Sequence, residues 1–139
     1  MGRLLITRPA RVGDMGGQRK QSLRQSFRHA LEGLGYVICC ERNARIHLAA
    51  AILAVALGLW LGLGLTQWAV ITIAIALVFA GEMLNTVVEL TIDVLTPHQN
   101  AHAKHVKDVA AGAILVNALA AVVIGLLVLG PPLLRKLGL

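Results

Sequence analysis

Apolar residues fall into three long runs, and a shorter stretch ahead of them repeats with a helical period. Leu48–Leu65 holds 18 residues without a charge, and Val109–Leu129 holds 21, interrupted only by Asn117. Trp68–Leu95 begins with 14 residues suited to hydrocarbon and then carries Glu82, Asn85, Glu89 and Asp93. At about 1.5 Å per residue each run can cross a hydrocarbon layer of ~30 Å. The spans are expected at about 46–65, 68–95 and 107–129. Before them, Leu23, Phe27, Ala30, Leu31, Leu34, Val37 and Ile38 recur at helical spacing, with Arg24, Arg28 and Glu32 largely opposite. That pattern predicts an amphipathic helix over about 21–40, lying on a membrane surface. The fold class is therefore all-α integral membrane, one surface helix plus three transmembrane helices.

The four polar residues of the second run are spaced by 3, 4 and 4, which puts them on one face of a helix. No Lys or Arg on that helix neutralises them. A charge at the centre of a bilayer costs roughly 2.5–3.5 kcal/mol on insertion scales. Repeated on one stripe, the cost points to a site whose missing partners are a cation and a polar ligand. Three thin spans bury such a stripe poorly, so a homo-oligomer is expected. Gly58 and Gly62 form GxxxG in the first span and suit close helix packing. Gly130-Pro131-Pro132 is expected to stop the last helix.

Composition narrows the class. The chain has 139 residues, 57% hydrophobic and 14% charged, with a mean hydropathy of +0.73. There is room for one small helical domain, 21–139, after a flexible basic tail, 1–20, with no apolar core of a secretory signal. Nine of the 13 basic residues precede the first span. Lys104 and Lys107 lie between the second and third spans, and the first connection, around Thr66–Gln67, has no charge. The distribution of positive charge puts the N-terminus and the second loop in the cytoplasm and the C-terminus outside. Topology accounts for the net charge of +6, so no nucleic-acid partner is expected. Cys39 and Cys40 are adjacent, a spacing that disfavours a disulfide, and are read as interfacial packing thiols. Asn117 is expected to hydrogen-bond between helices. His98, His102 and His105 have spacing that suits a metal but lie in a polar loop, where a solvated face is the simpler reading.

Depth then groups the polar residues. Glu82 lies 14 residues beyond Trp68, roughly 20 Å down the second span. Asn85, Glu89 and Asp93 follow toward the cytoplasmic surface. Lys107 and Asp108 stand at the mouth of the third span and Glu41 at the mouth of the first. Clustered carboxylates with an amide oxygen are hard ligands suited to Mg²⁺, and a lysine beside them suits a phosphate. Glu82, displaced toward the membrane, is placed to act as general base on a group presented from the bilayer. The constellation fits phosphoryl transfer from a water-soluble donor to a lipid hydroxyl. The rival readings are a small ion or proton carrier and a non-catalytic assembly subunit. A conduction path needs polar groups in the outer half, where Trp68–Ala80 offers only Thr72.

Gly81–Leu95, GEMLNTVVELTIDVL, resembles the E-x-x-N-S/T-x-x-E-x-x-x-D signature of the small prokaryotic integral-membrane lipid kinases, the diacylglycerol kinase and undecaprenol kinase family. Lys107–Val116, KDVAAGAILV, resembles that family's second segment, and Ser26–His47 is similar to the form common in Gram-positive and related members. The resemblance covers roughly Ser26 to Leu129. It implies a homotrimer of the prokaryotic cytoplasmic membrane with active sites shared between subunits, and ATP with Mg²⁺ as phosphate donor. It implies phosphorylation of diacylglycerol or undecaprenol. Glu82 matches the catalytic base, and Glu41 and Glu89 match the metal-binding glutamates. Asn85, Asp93, Lys107 and Asp108 complete the nucleotide site with them. Ser26, Ala30, Gly33, Leu34 and Arg45 fall, with Glu82, on the lipid site. Thr96–Val106 differs from the enteric form, and the tryptophan-rich surface helix of that form is absent.

Overall fold

The computed structural model describes residues 22–96 and 100–138. The expected 1–20 tail and His98 lie outside them. Among the described residues four helices follow in order: α1 Leu23–Cys40, α2 Arg42–Leu61, α3 Leu65–Leu95 and α4 Ala101–Leu137. The last three are long and apolar enough to cross a membrane, and the protein is a membrane protein.

Each helix starts and stops for a local reason. Ser22 opens α1 with a capping box: Gln25 N donates to Ser22 Oγ at 3.3 Å, and Ser22 N donates to Gln25 Oε1 at 3.1 Å. Two orphan amides are thereby satisfied, stabilising the start by about 1 kcal/mol. Glu41 alone separates α1 from α2, in extended backbone at φ −89°, ψ 122°. Asn100 Oδ1 accepts from His102 N at 2.9 Å and opens α4.

The C-terminus of α2 corrects two expectations. Gly62 takes the left-handed conformation, φ +69°, and Leu63 N bonds back to Gly58 O at 3.1 Å. A residue without Cβ reaches that conformation at no steric cost, so the helix ends at Leu61 rather than near 65. Gly62 is therefore a cap, and of the GxxxG pair only Gly58 packs. A Cβ there would meet the Trp68 ring at 2.9 Å. Thr66 and Gln67 belong to the first turn of α3, not to the connection.

Pro131 and Pro132 do not stop the last helix, which continues to Leu137. Proline fixes φ near the helical value, so its main loss is the N–H it would have given to the carbonyl four residues back. For Pro132 that carbonyl is Val128 O, and Gln67 Nε2 from α3 donates to it at 3.3 Å. A neighbouring side chain thus satisfies the freed acceptor, as polar side chains do for prolines inside membrane helices. Gln67→Leu is expected to lower stability by about 1 kcal/mol, the usual size of an interhelical hydrogen bond in a membrane. Equilibrium unfolding of the purified protein in mixed micelles checks it.

α3 and α4 form the main pair. Asn117 on α4 sits against Gly81, where a Cβ would approach its Nδ2 to 2.6 Å, and Nδ2 donates to Leu77 O at 3.4 Å. The missing side chain lets α4 come close one residue before Glu82. At the other end of the molecule Lys136 donates to Trp60 O and stands 4.5 Å from the centre of its ring, tying the end of α4 to that of α2. At 1.5 Å per residue the 31 residues of α3 reach about 46 Å, roughly ten residues more than the hydrocarbon needs. The surplus lies at the charged end, where Glu89 and Asp93 stand.

Candidate active site

Along α2, Ala44, His47, Ala51, Ala54 and Gly58 recur at intervals of 3 and 4. This face turns inward: Ala44 is fully buried, and the others are buried or half-buried. Small residues there let α2 approach α3, and His47 is the one member with a polar reach. Opposite it, α3 turns inward Ile71, Ala74, Val78, Glu82, Asn85 and Thr86, all buried. The apolar face thus continues directly into the acidic stripe.

Glu82 is the most enclosed of the acids, 1% exposed. His47 Nε2 lies 3.2 Å from its Oε1, off the line of a hydrogen bond. That oxygen and Asn85 Oδ1 are buried with no hydrogen-bond partner among the described residues. An unpartnered buried polar atom costs about 1–3 kcal/mol, more for a charged one. Neighbouring donors on α3 are turned elsewhere. Asn85 Nδ2 donates to Glu89 Oε1 at 2.9 Å, and Thr86 Oγ1 donates to the main-chain Glu82 O at 3.0 Å. Glu41 and Glu89 are near enough to act on the charge of Glu82. Glu41 is held by the helix junction itself, where its N–H bonds to Val37 O at 2.9 Å while its side chain caps nothing.

One turn beyond Glu89, Asp93 pairs with Lys107, joining the end of α3 to the start of α4. Both are at least a third exposed, so the pair contributes little to stability. Asp108 is exposed and makes no ion pair among the described residues. On α1, Ser26, Ala30 and Gly33 are exposed, as is Arg45 on α2, and Leu34 is half-buried. None of the five side chains hydrogen-bonds to the carboxylates among the described residues; Arg45 meets Glu41 only through its backbone N–H, which donates to Glu41 O at 3.4 Å. Cys39 and Cys40 are free and exposed. His102 and His105 are exposed on the first turns of α4. Among the described residues no three His, Cys, Asp or Glu side chains come together as a metal-binding group.

The fold thus gathers Glu41, Glu82, Asn85 and Glu89 from two chain segments and sets Asp93 and Lys107 beside them. His47 joins the group without having been singled out from the sequence. Its signal was a lone imidazole in a stripe of small residues.

An apolar groove opens above the acids between α2, α3 and α4, with a volume of about 380 Å³. Its lining includes Ile46, Ala50, Ile71, Val78 and Ala121, and His47 is its polar member. The volume lies within the range of small-molecule sites.

Residues 28–129 match the family model described as prokaryotic diacylglycerol kinase. The chain is 38% identical over 109 residues to the undecaprenol kinase of Bacillus subtilis, a match covering 78% of this chain and 89% of that one. It is 41% identical over 115 residues to a diacylglycerol kinase of Synechocystis sp.. That second match covers 81% of this chain and 65% of the relative's length.

Proposed function

The chain belongs to the prokaryotic diacylglycerol kinase family and is a lipid kinase, and we propose that it moves the γ-phosphoryl group of ATP to the primary hydroxyl of diacylglycerol or undecaprenol. The observation that carries the residue roles is the pair of unpartnered buried oxygens, Glu82 Oε1 and Asn85 Oδ1, at the seam between an apolar groove and an acidic, water-facing layer. A lipid alcohol approaches such a seam from one side and a nucleotide from the other.

Glu82 accepts the hydroxyl proton as the lipid oxygen attacks the γ-phosphorus. The bond to the β,γ-bridging oxygen breaks and ADP departs. Glu82 suits that work because its carboxylate is buried beside the groove and has an oxygen free of donors. Lys107 holds the nucleotide phosphates, exchanging its contact with Asp93 for them, and Asp93 and Asp108 border the nucleotide. Positioning and charge neutralisation account for most of the acceleration in phosphoryl transfer. Glu41, Glu89 and Asn85 Oδ1 would hold Mg²⁺. Two carboxylates and an amide oxygen fit an ion that keeps several waters and takes its other ligands from phosphate, and no third carboxylate is required. The ion supplies neutralisation of phosphate charge.

The acids form the cytoplasmic end of the molecule in this reading, with Trp60 and Lys136 at the outer end. α1 lies on the cytoplasmic surface, where exposed Leu23, Phe27 and Leu31 meet lipid and Ser26, Ala30, Gly33, Leu34 and Arg45 border the lipid headgroup. The acidic face is covered only in part within one chain, with Asp93 exposed and Glu41 and Glu89 half-buried, which supports a homotrimer with active sites shared between neighbours. Light scattering in detergent is expected to give three chains per particle.

Incubation of the purified protein with Mg²⁺ and ATP labelled at the γ-phosphate, offered diacylglycerol and undecaprenol in parallel, tests the reading. Label is expected on one or both lipids. Folded protein that labels neither and binds no nucleotide would overturn it.

A further inference from the structure

We propose that His47 is the positioning residue for Glu82, fixing the catalytic carboxylate beside the apolar groove where the lipid hydroxyl arrives. The inference rests on the base assignment above and adds to it a residue from another helix.

A histidine on an inward helix face is commonly a packing residue, so three observations have to carry more than that. First, a buried carboxylate needs a donor, and those beside it on α3 are turned elsewhere. Asn85 Nδ2 is turned to Glu89 and Thr86 Oγ1 to a main-chain carbonyl. His47 Nε2, 3.2 Å from Glu82 Oε1, is what remains in reach among the described residues. Second, His47 also lines the groove. One ring therefore touches both the carboxylate and the space above it, and its place sets where the carboxylate points. Third, the contact joins α2 to α3 in a stripe otherwise made of Ala and Gly, which exert no directional hold on an acid.

The imidazole acts through Glu82 and touches no reacting atom in this arrangement. Its present angle is not that of a finished hydrogen bond. Catalytic hydrogen bonds are often poorly aligned before substrate binds and tighten in the complex. A carboxylate left without its donor samples rotamers facing away from the groove, and displacement of a reacting group by about 1 Å can cost around 100-fold in rate.

The test compares the wild type with His47→Leu, His47→Gln and His47→Asn. Steady-state kcat and KM for ATP and for lipid are measured on protein shown to be folded by circular dichroism. Gln can place an N–H where His47 Nε2 stands. Leu fills the space without a donor, and Asn carries a donor on too short an arm. Expected are a fall in kcat of about 100-fold for Leu and Asn, retention within about fivefold for Gln, and an ATP KM unchanged within about twofold for all three. Equal losses in Gln and Asn, a wild-type rate in Leu, or a change confined to the ATP KM would overturn the positioning role. If Leu does not fold, the contrast between Gln and Asn decides alone. An inactive wild type would instead defeat the proposed reaction, so the two failures are told apart by the parent protein.

Discussion

Glu82→Gln is expected to lower kcat by about 100-fold or more while leaving nucleotide affinity within about twofold. The magnitude is that of removing a positioned general base, which typically contributes 10²–10⁴ in rate. Gln is isosteric with Glu, so the fully enclosed site keeps its packing and no cavity opens. Only the capacity to take a proton is lost. The stability outcome separates chemistry from damage. Glu82 is 1% exposed, and His47 stands by its Oε1 without a finished hydrogen bond, so replacing an ion by a neutral amide removes a desolvation cost. The variant is therefore expected to unfold no earlier than the parent in a denaturant titration. A near-normal kcat would show that Glu82 is not the base. A normal fold with lost nucleotide binding would move Glu82 into the nucleotide site.

Glu89→Ala is expected to raise the Mg²⁺ concentration needed for half-maximal activity by about 10–100-fold, and to weaken MgATP binding measured directly by calorimetry. The reasoning joins two contacts. On the proposed reading Glu89 would supply a carboxylate to the cation, and its Oε1 accepts from Asn85 Nδ2 at 2.9 Å. That bond aims the other end of the amide, Oδ1, into the same space. Truncation therefore removes one ligand and loosens a second, and loss of an orienting partner alone commonly costs 10–100-fold in metal affinity. Glu89→Gln separates the effects, since its Oε1 still accepts from Asn85 while the charge is gone. An intermediate shift is expected for it. An unchanged Mg²⁺ titration in Glu89→Ala would remove that residue from the metal site.

Much of the architecture was legible because hydrocarbon tolerates few backbone solutions. A run of about 20 apolar residues must satisfy its own hydrogen bonds and becomes a helix, and three such runs were visible. The face shared by Glu82, Asn85, Glu89 and Asp93 was equally legible, since helical spacing alone aligns them. The interhelical role of Asn117 followed from its isolation in an apolar run. Helix ends were harder. The proline pair at Pro131 reads as a terminator in one dimension, and Gly62 as half of a packing motif.

The chain's own order of residues determined the class of protein, the number of spans, the acidic stripe and its place near one end. These depend on period and polarity within single helices, which local sequence encodes. Tertiary structure decided which of those groups meet. Gln67 completes the carbonyl that Pro132 leaves open, and Asn85 commits its amide to Glu89. His47 comes within 3.2 Å of an acid 35 positions away in the chain. Such pairings depend on the rotation and offset of one helix against another. Those are set by small contact residues, Ala44, Gly58 and Gly81, whose effect exists only once two surfaces are in contact.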